Sequence, residues 1–243
     1  MVNYPTQIFQ NISFVIPVFN EEENILPIFQ EIKRVADALG HSYEVIFVND
    51  CSTDSSLAII REMAGRFDMV RYISFPTNRG QSAALDAGFR EARGDVIITL
   101  DADLQNDPSD IPGMLSLYGE YDMVTGWRHR RRDTLSKRIG SRIGNYVRNR
   151  LTGEMIHDTG CSLKVMRADM LKQIKMFRGL HRFLPTLMRL EGARVVEVKV
   201  SHRPRIHGVS KYTNYRRAIE GLHDLLAVRW MLRRYVDVRG EKE

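Results

Sequence analysis

Cysteine and long apolar runs are scarce in this sequence, and each absence excludes a class of protein. Only two cysteines, Cys51 and Cys161, occur among 243 residues, which is too few for a disulfide framework and lacks the spacing of a metal site. No apolar run approaches the roughly 18 residues that span a bilayer. Residues 3–11 also lack the basic-then-apolar order of a signal peptide. We therefore expect a cytoplasmic protein without a transmembrane segment.

Acidic residues are outnumbered by basic ones, which gives a formal net charge of +6 and a pI near 9.4. Such a charge implies anionic partners: nucleic acid, phosphorylated small molecules or an anionic membrane surface. The basic excess is concentrated in residues 128–150 and 203–234. No recognisable nucleic-acid-binding motif accompanies it, so we expect no nucleic-acid partner.

Apolar runs alternate with helical segments in the first half of the chain. This alternation predicts an α/β fold, with a mostly parallel sheet flanked by helices. The predicted strands are residues 12–18, 43–48, 70–75 and 96–100, and the helices between them end near residues 39, 67 and 93. Later segments are predicted as a strand at 122–125, a basic loop at 126–135, a helix at 135–151, strands at 160–166 and 194–200, and a final helix at 215–235.

Two carboxylates follow the predicted strand at residues 96–100. Asp101 and Asp103 are spaced i, i+2, which places both on the same face of an extended chain. Such strand ends are where open α/β sheets bind ligands, and two acids there repel each other unless a cation lies between them. With the neutral oxygen of Gln105, the set suits Mg²⁺ or Mn²⁺. The alternative is a pair of solvated turn acids before the next helix.

Polar or acidic residues also follow the first two predicted strands, as Asn20 and Glu21 and as Asn49 and Asp50. Because the ends of parallel strands converge on one edge of a sheet, we expect these residues to share a site with the two aspartates. Two alternatives remain open. Glu21 could be a charge in the first turn of a helix, and Asp50 could be a helix N-cap.

In order and spacing, seven segments resemble the family 2 glycosyltransferases, which have the GT-A nucleotide-sugar fold. They are similar to the polyprenyl-phosphate branch, which includes dolichol-phosphate mannosyltransferases, bactoprenol glucosyltransferases and the undecaprenyl-phosphate 4-deoxy-4-formamido-L-arabinose transferase. The segments are residues 15–21, 48–54, 78–84, 94–108, 126–128, 158–161 and 205–212. The resemblance implies a catalytic domain over residues 1–212, followed by a basic amphipathic helix and tail over 213–243. The chain has Asn49, Asp50, Cys51 and Ser52 where the family often has Asp-Asp-Gly-Ser.

The resemblance also implies a role for each candidate site residue. The nucleotide would contact Pro17, Phe19, Glu21, Asp50, Asp101 and Ala102. The divalent ion, Mg²⁺ or Mn²⁺, would be held by Asp101, Asp103 and Gln105. The acceptor phosphate would contact Arg128, Arg138, Ser210 and Lys211. Catalysis would involve Asp103 and Arg205, with Asp158 as the general base if the acceptor is a hydroxyl. For each arginine the alternative is a solvated basic face, and for Asp158 it is a turn residue.

The implied function is a metal-dependent, inverting transfer of a sugar from a UDP- or GDP-linked donor to a polyprenyl phosphate. One alternative is transfer to a soluble or polysaccharide hydroxyl, and a more distant one is a non-catalytic protein that binds a nucleotide or nucleic acid. The final helix carries Trp230 and Tyr235 beside several arginines. It therefore either lies on the inner face of the cell membrane or docks on its own domain. The sequence leaves a homo-oligomer open.

Overall fold

The structure is a computed structural model that describes residues 9–129, 135–153, 155–204 and 214–236, with the backbone alone at 135–143 and 214–219. Within these residues, seven strands form one sheet: β1 (Asn11–Val18), β2 (Ser42–Asn49), β3 (Val70–Ser74), β4 (Val96–Thr99), β5 (Met123–Arg128), β6 (Lys164–Arg167) and β7 (Val195–Val200). Their order is β3-β2-β1-β4-β6-β5-β7. Neighbours run parallel except at β6, which is antiparallel to β4 and β5. The predicted, mostly parallel sheet is confirmed.

Helices cover both faces of this sheet. In the described part of the chain they are α1 (Ile25–Leu39), α2 (Ser56–Arg66), α3 (Gln81–Glu91), α4 (Ile111–Leu115), α5 (Leu135–Thr152), α6 (Ala168–Leu171), α7 (Leu184–Leu190) and α8 (Asn214–Arg234). Successive strand side chains point to opposite layers. On β1, Phe14 and Ile16 share a core cluster with α1, whereas Val15 shares the other cluster with α3. The fold therefore has three layers, with the sheet in the middle.

The carboxyl edge of the sheet has a step between β1 and β4. Val18, the last residue of β1, pairs with Asn49 at the end of β2, so these two strands end level. Thr99, the last residue of β4, pairs with Val15, so β4 leaves the sheet three residues earlier. The segment that follows β4 therefore begins closer to the amino ends of the strands than the turns that follow β1 and β2. This step is the kind of crevice in which α/β sheets bind ligands.

Three segments differ from the sequence-based expectation. Residues 126–128 were expected in a basic loop, but they extend β5 because they pair with residues 198–200 of β7. Residues 160–163 were expected in a strand, but β6 begins at Lys164, since the Cys161 N–H turns back to the Asp158 carbonyl at 3.3 Å. The alternative that places Glu21 in the first turn of a helix is wrong, since α1 begins at Ile25 with Asn24 as its N-cap residue.

The final helix, α8, docks on the same side of the sheet as α3. Its Leu225 and Val228 are buried in the core cluster that contains the α3 residues. Leu222, Leu226 and Trp230 are 51%, 51% and 64% exposed, so a row of apolar side chains lies on the outer face. In the described part of the chain, no helix is both long enough and apolar enough to cross a membrane.

Gly88 allows α3 to pack closely on β1. A Cβ atom at this position would overlap Val15 Cγ1 and lie 3.3 Å from Val48 Cγ2. We expect Gly88→Ala to lower the free energy of unfolding by about 1–3 kcal/mol, as overpacking does in a dense core. Urea denaturation would measure this change.

The matched control is Gly65→Ala in α2, where an added Cβ meets nothing within 4 Å. There we expect the free energy of unfolding to rise by about 0.5–1 kcal/mol, because alanine restricts the unfolded chain more than glycine does. Equal effects of the two substitutions would contradict the packing argument.

Candidate active site

Irregular backbone is concentrated where β1, β2 and β4 end. In the described part of the chain, the non-glycine residues with positive φ are Asn20, Cys51 and Leu104, at 53°, 59° and 61°. Each lies in the segment that follows one of these strands. Such backbone strain clusters at functional sites, where the surrounding structure maintains it. The three turns therefore mark this edge as the candidate active site.

The turns after β1 and β2 are tied together by side-chain hydrogen bonds. The Asn20 N–H donates to Ser52 Oγ at 3.0 Å, and Asn20 Oδ1 accepts from the Thr53 N–H at 2.7 Å. The carboxylate of Glu21 accepts from Asn24 Nδ2 at 2.7 Å. Glu21 is thus oriented by the N-cap residue of α1, at the edge where the sequence predicts a nucleotide.

Asp50 braces the loop that leads into α3. Its buried carboxylate accepts the N–H of Arg79 at 2.6 Å and the N–H of Gly80 at 2.8 Å, and Gly80 is the N-cap residue of α3. Asp50 is not a helix N-cap, because Ser55 is the N-cap residue of α2 and the two N–H groups that Asp50 binds precede the first turn of α3. An ionised carboxylate has about four acceptor sites, so these contacts leave capacity for a base N–H.

Asp101, Asp103 and Gln105 follow β4, as the sequence predicts. Asp103 is buried and accepts the N–H of Gln105 at 3.2 Å, while Asp101 accepts from the amide of Gln81 at 2.8 Å. Burial, followed by the charge of Asp103, raises the pKa of Asp101 to about 6. Gln81 is the first residue of α3, so α3 and the segment that follows β4 meet at Asp101.

These groups fit a divalent metal ion. The charge of Asp103 disfavours ionisation of Asp101, and a cation between two such carboxylates removes that repulsion. Carboxylate and amide oxygens are the ligands that Mg²⁺ and Mn²⁺ prefer. Among the described residues, no three His, Cys, Asp or Glu side chains are grouped to hold a metal. Oxygens of a bound diphosphate and water would therefore have to complete the ligand set.

Arg128 and Asp158 form a buried, bidentate ion pair beside the carboxylates. Arg128 Nε donates to Asp158 Oδ2 at 2.7 Å, and Nη2 donates to Oδ1 at 2.9 Å. Their side chains are 15% and 8% exposed. Burial lowers the pKa of Arg128, but the hydrogen bonds and charge of Asp158 outweigh it and hold this pKa above its ordinary value. Asp158, predicted as a base for a hydroxyl acceptor, thus has a second candidate role as the partner of Arg128.

Lys164 lies in the same electrostatic neighbourhood, although the sequence analysis did not select it. Its side chain is buried, and Nζ donates to the carbonyl of Cys161. Burial lowers the pKa of Lys164, and the charges of Arg128 and Lys164 both lower the pKa of Asp101. Lys164 interrupts the apolar run of residues 163–166. This pattern could have identified it as a site residue, because fully buried lysines are almost always paired with another group.

The turn that carries Asp158 is held from two sides. Arg148 of α5 is buried and donates to the carbonyl of Ile156 at 2.6 Å. Glu197 of β7 accepts the backbone N–H of His157 at 2.9 Å and that of Asp158 at 2.7 Å. Arg148 lies within the basic segment of residues 128–150, and neither Arg148 nor Glu197 belongs to a recognised motif. No pattern in the sequence pairs them with this turn.

The structure places the other predicted residues as follows. Pro17 lies in β1 opposite Val48, Phe19 follows the strand, and Ala102 is buried between the two aspartates. Arg205, Ser210 and Lys211 lie outside the described residues, as does the side chain of Arg138 in α5. The described site therefore joins a carboxylate edge, which suits a metal and a diphosphate, to a fixed guanidinium, which suits a second anion.

Comparison with known proteins identifies relatives over most of the chain. The profile of Glycosyl transferase family 2 matches residues 13–175. The chain is 40% identical over 237 residues to dodecaprenyl-phosphate galacturonate synthase from Rhizobium johnstonii, covering 95% of this chain and 70% of that protein. It is 37% identical over 205 residues to undecaprenyl-phosphate 4-deoxy-4-formamido-L-arabinose transferase from Edwardsiella ictaluri, covering 84% and 63%. The chain thus spans less than the full length of both relatives.

Solved structures share the fold. Glucosyl-3-phosphoglycerate synthase from Mycobacterium tuberculosis, in complex with Mn²⁺, uridine diphosphate and phosphoglyceric acid, has a TM-score of 0.67 at 19% identity, over 94% of this chain and 80% of that one. The complex of that enzyme with Mg²⁺ and uridine diphosphate has a TM-score of 0.65 at 19% identity, over 94% and 81%. At this identity the likeness concerns the fold alone, and it confirms the predicted GT-A-like class.

Proposed function

The chain belongs to glycosyltransferase family 2, and on that premise we propose that it transfers a sugar from a nucleotide sugar to a polyprenyl phosphate. The observation that carries this proposal is the position of Arg128, fixed by Asp158 beside the carboxylates of β4. A metal ion at the carboxylates would bind the diphosphate of the donor, and the buried guanidinium beside it would bind the phosphate of the acceptor. The names of both curated relatives contain a polyprenyl phosphate.

On the donor side, Asp101, Asp103 and Gln105 would hold Mg²⁺ or Mn²⁺. When bound, the ion supplies Lewis-acid stabilisation of the charge on the departing nucleoside diphosphate. Asp50 and Glu21 lie at the ends of the neighbouring strands and would contact the nucleotide. We favour a uridine donor, because residues 78–83 and 158–161 resemble the bacterial branch of the family.

On the acceptor side, we assign Arg128 to the phosphate and Asp158 to holding Arg128. A phosphate oxygen is already ionised at neutral pH, so the reaction requires orientation and charge stabilisation more than a general base. The engagement of both Asp158 oxygens by Arg128 agrees with this requirement. We propose a single displacement that inverts the configuration at the anomeric carbon.

We further propose that the protein meets its lipid acceptor at the inner face of the membrane, through α8. Leu222, Leu226 and Trp230 form an exposed apolar row, and Arg229 and Arg233 lie beside it on the helix. Apolar side chains flanked by cations are typical of helices that lie in the membrane interface.

One experiment tests the acceptor and the surface together. The full chain is mixed with vesicles that contain undecaprenyl phosphate and an anionic lipid, then given radiolabelled UDP- and GDP-linked sugars with Mn²⁺, Mg²⁺ or chelator. We expect metal-dependent label in the lipid extract, and co-flotation of the protein with the vesicles. Label in soluble or polysaccharide products, with none in the lipid, would overturn the acceptor assignment, and absence of flotation would overturn the membrane contact.

A further inference from the structure

The side chain of Glu197, on the edge strand β7, is held against the turn that carries Asp158. Its side chain is only 9% exposed. Oε1 accepts the N–H of Asp158 at 2.7 Å, while Oε2 accepts the N–H of His157 at 2.9 Å and lies 2.7 Å from His157 Nδ1. A buried carboxylate is costly unless its oxygens are hydrogen-bonded. Here the peptide groups of one turn, the turn that carries Asp158, satisfy it.

The hydrogen bonds of Glu197 and Asp158 therefore form one chain of contacts that ends at Arg128. Glu197 fixes the peptide of residues 157–158, and Asp158 fixes the guanidinium of Arg128 through two hydrogen bonds. We propose that Glu197 is a positioning residue that sets the direction of Arg128 toward the acceptor phosphate, acting through the backbone of residues 157–158. This inference rests on the proposed function, because that function gives Arg128 its phosphate.

The outer side of the turn is closed by an aromatic stack. Trp127 and Arg128 are consecutive in β5, so their side chains point to opposite faces of the sheet. The indole of Trp127 stacks on the His157 ring, with centroids 4.4 Å apart and planes 16° apart, and Lys199 Nζ lies 5.6 Å from the indole. The ring of His157 is 63% exposed on that side. Arg128 therefore lies on the opposite face of β5 from this stack.

The direct test follows Arg128 itself by NMR. In ¹⁵N-labelled full-length protein, the Arg128 Nε–H signal is assigned by its loss in Arg128→Lys. Glutamine at position 197 keeps the size of glutamate but cannot accept with both terminal atoms. In Glu197→Gln we expect exchange of this Nε–H with water to accelerate about 10-fold or more, because the turn loses a hydrogen bond to a charged group and opens more often. Unchanged exchange would overturn the inference, whatever the activity of the protein.

Two further variants separate positioning from general loss of structure. Glu44→Gln is the matched control, because Glu44 is also largely buried and accepts a backbone N–H, that of Arg93 at 2.6 Å, but lies near the start of β2. It should leave the Arg128 signal unchanged. His157→Ala keeps both backbone N–H groups and should also leave it unchanged, and rapid exchange there would overturn the backbone route. If Glu197→Gln does not fold, Glu197→Asp, which keeps the charge and shortens the reach, takes its place.

Kinetics then distinguish this inference from the proposed function. In Glu197→Gln we expect KM for undecaprenyl phosphate to rise about 10- to 100-fold, as losses of supporting contacts do, while calorimetric affinity for uridine diphosphate with Mn²⁺ stays at the wild-type value. A wild-type protein that transfers no sugar to lipid refutes the proposed function, but the Arg128 exchange measurement still decides the role of Glu197. Equal loss of donor and acceptor affinity would refute selective positioning.

Discussion

Replacing Asp103 with alanine should weaken the binding of uridine diphosphate in the presence of Mn²⁺ by about 100-fold or more, because this change removes a proposed direct ligand of the metal, and even supporting contacts of metal ligands are worth about 10- to 100-fold. Binding without the metal should change little, since the proposed nucleotide contacts at Asp50 and Glu21 remain. Calorimetric titration of wild type and variant, each with Mn²⁺, with Mg²⁺ and with chelator, measures both effects. Parallel titrations with guanosine diphosphate identify the donor class.

The stability of the metal-free protein provides an independent check on Asp103→Ala. The charge of Asp103 raises the pKa of Asp101, so its removal relieves repulsion between two neighbouring acids. The Gln105 N–H loses its partner at 3.2 Å, which opposes that gain. We therefore expect the free energy of unfolding to change by less than about 2 kcal/mol, because relief of the repulsion offsets the loss of one hydrogen bond to a charged group.

Asp122→Asn is the matched control for Asp103→Ala. Asp122 is also a buried aspartate, but it precedes β5 and accepts from Arg194 Nε at 3.2 Å. It lies near the amino end of β5, away from the turns that form the site. We expect lower stability with unchanged affinity for uridine diphosphate. If nucleotide binding in Asp103→Ala remains metal-dependent and tight, then Asp103 is not a metal ligand and the site assignment fails.

The sheet and its acidic edge could be predicted because their signals are local in sequence. Four apolar runs specify buried strands, and polar residues directly after three of them specify where ligands bind. Asp101 and Asp103 need no distant contact to reach the edge, since β4 ends at Thr99 and delivers them there. The same locality explains why the strand bounds before residue 100 agree with the prediction within a few positions.

The position of Arg128 and of the residues that hold its partner Asp158 could not be predicted from local sequence signals. Arg128 extends β5 instead of lying in a loop because β7, about 70 residues later in the sequence, pairs with it. Tertiary pairing of this kind overrides the local polar signal of residues 126–132. Arg148 of α5 and Glu197 of β7 reach the turn at Asp158 through tertiary contacts. Neither contact has a spacing that a sequence pattern could reveal.

We expect Arg128→Ala to lower both the free energy of unfolding and the efficiency of sugar transfer. The substitution leaves the Asp158 carboxylate buried, at 8% exposure, without the guanidinium that pairs with it. Removing one partner of a buried ion pair typically lowers the free energy of unfolding by about 3–5 kcal/mol. We also expect kcat/KM for undecaprenyl phosphate to fall about 100-fold or more, because an electrostatic contact to the reacting group is lost. Chemical denaturation and the lipid-transfer assay measure the two effects.

The double variant Arg128→Ala with Asp158→Asn separates these two losses. Asparagine removes the buried charge, so a large part of the lost stability should return, because the penalty comes mainly from an uncompensated carboxylate. Transfer should not return, since no guanidinium faces the acceptor. Arg71→Ala is the control: Arg71 pairs with Glu44 at 2.7 Å but lies on β3, apart from the acceptor side. It should lower stability and preserve transfer. Recovery of transfer in the double variant would show that transfer does not need the Arg128 guanidinium, and would overturn its assignment to the acceptor phosphate.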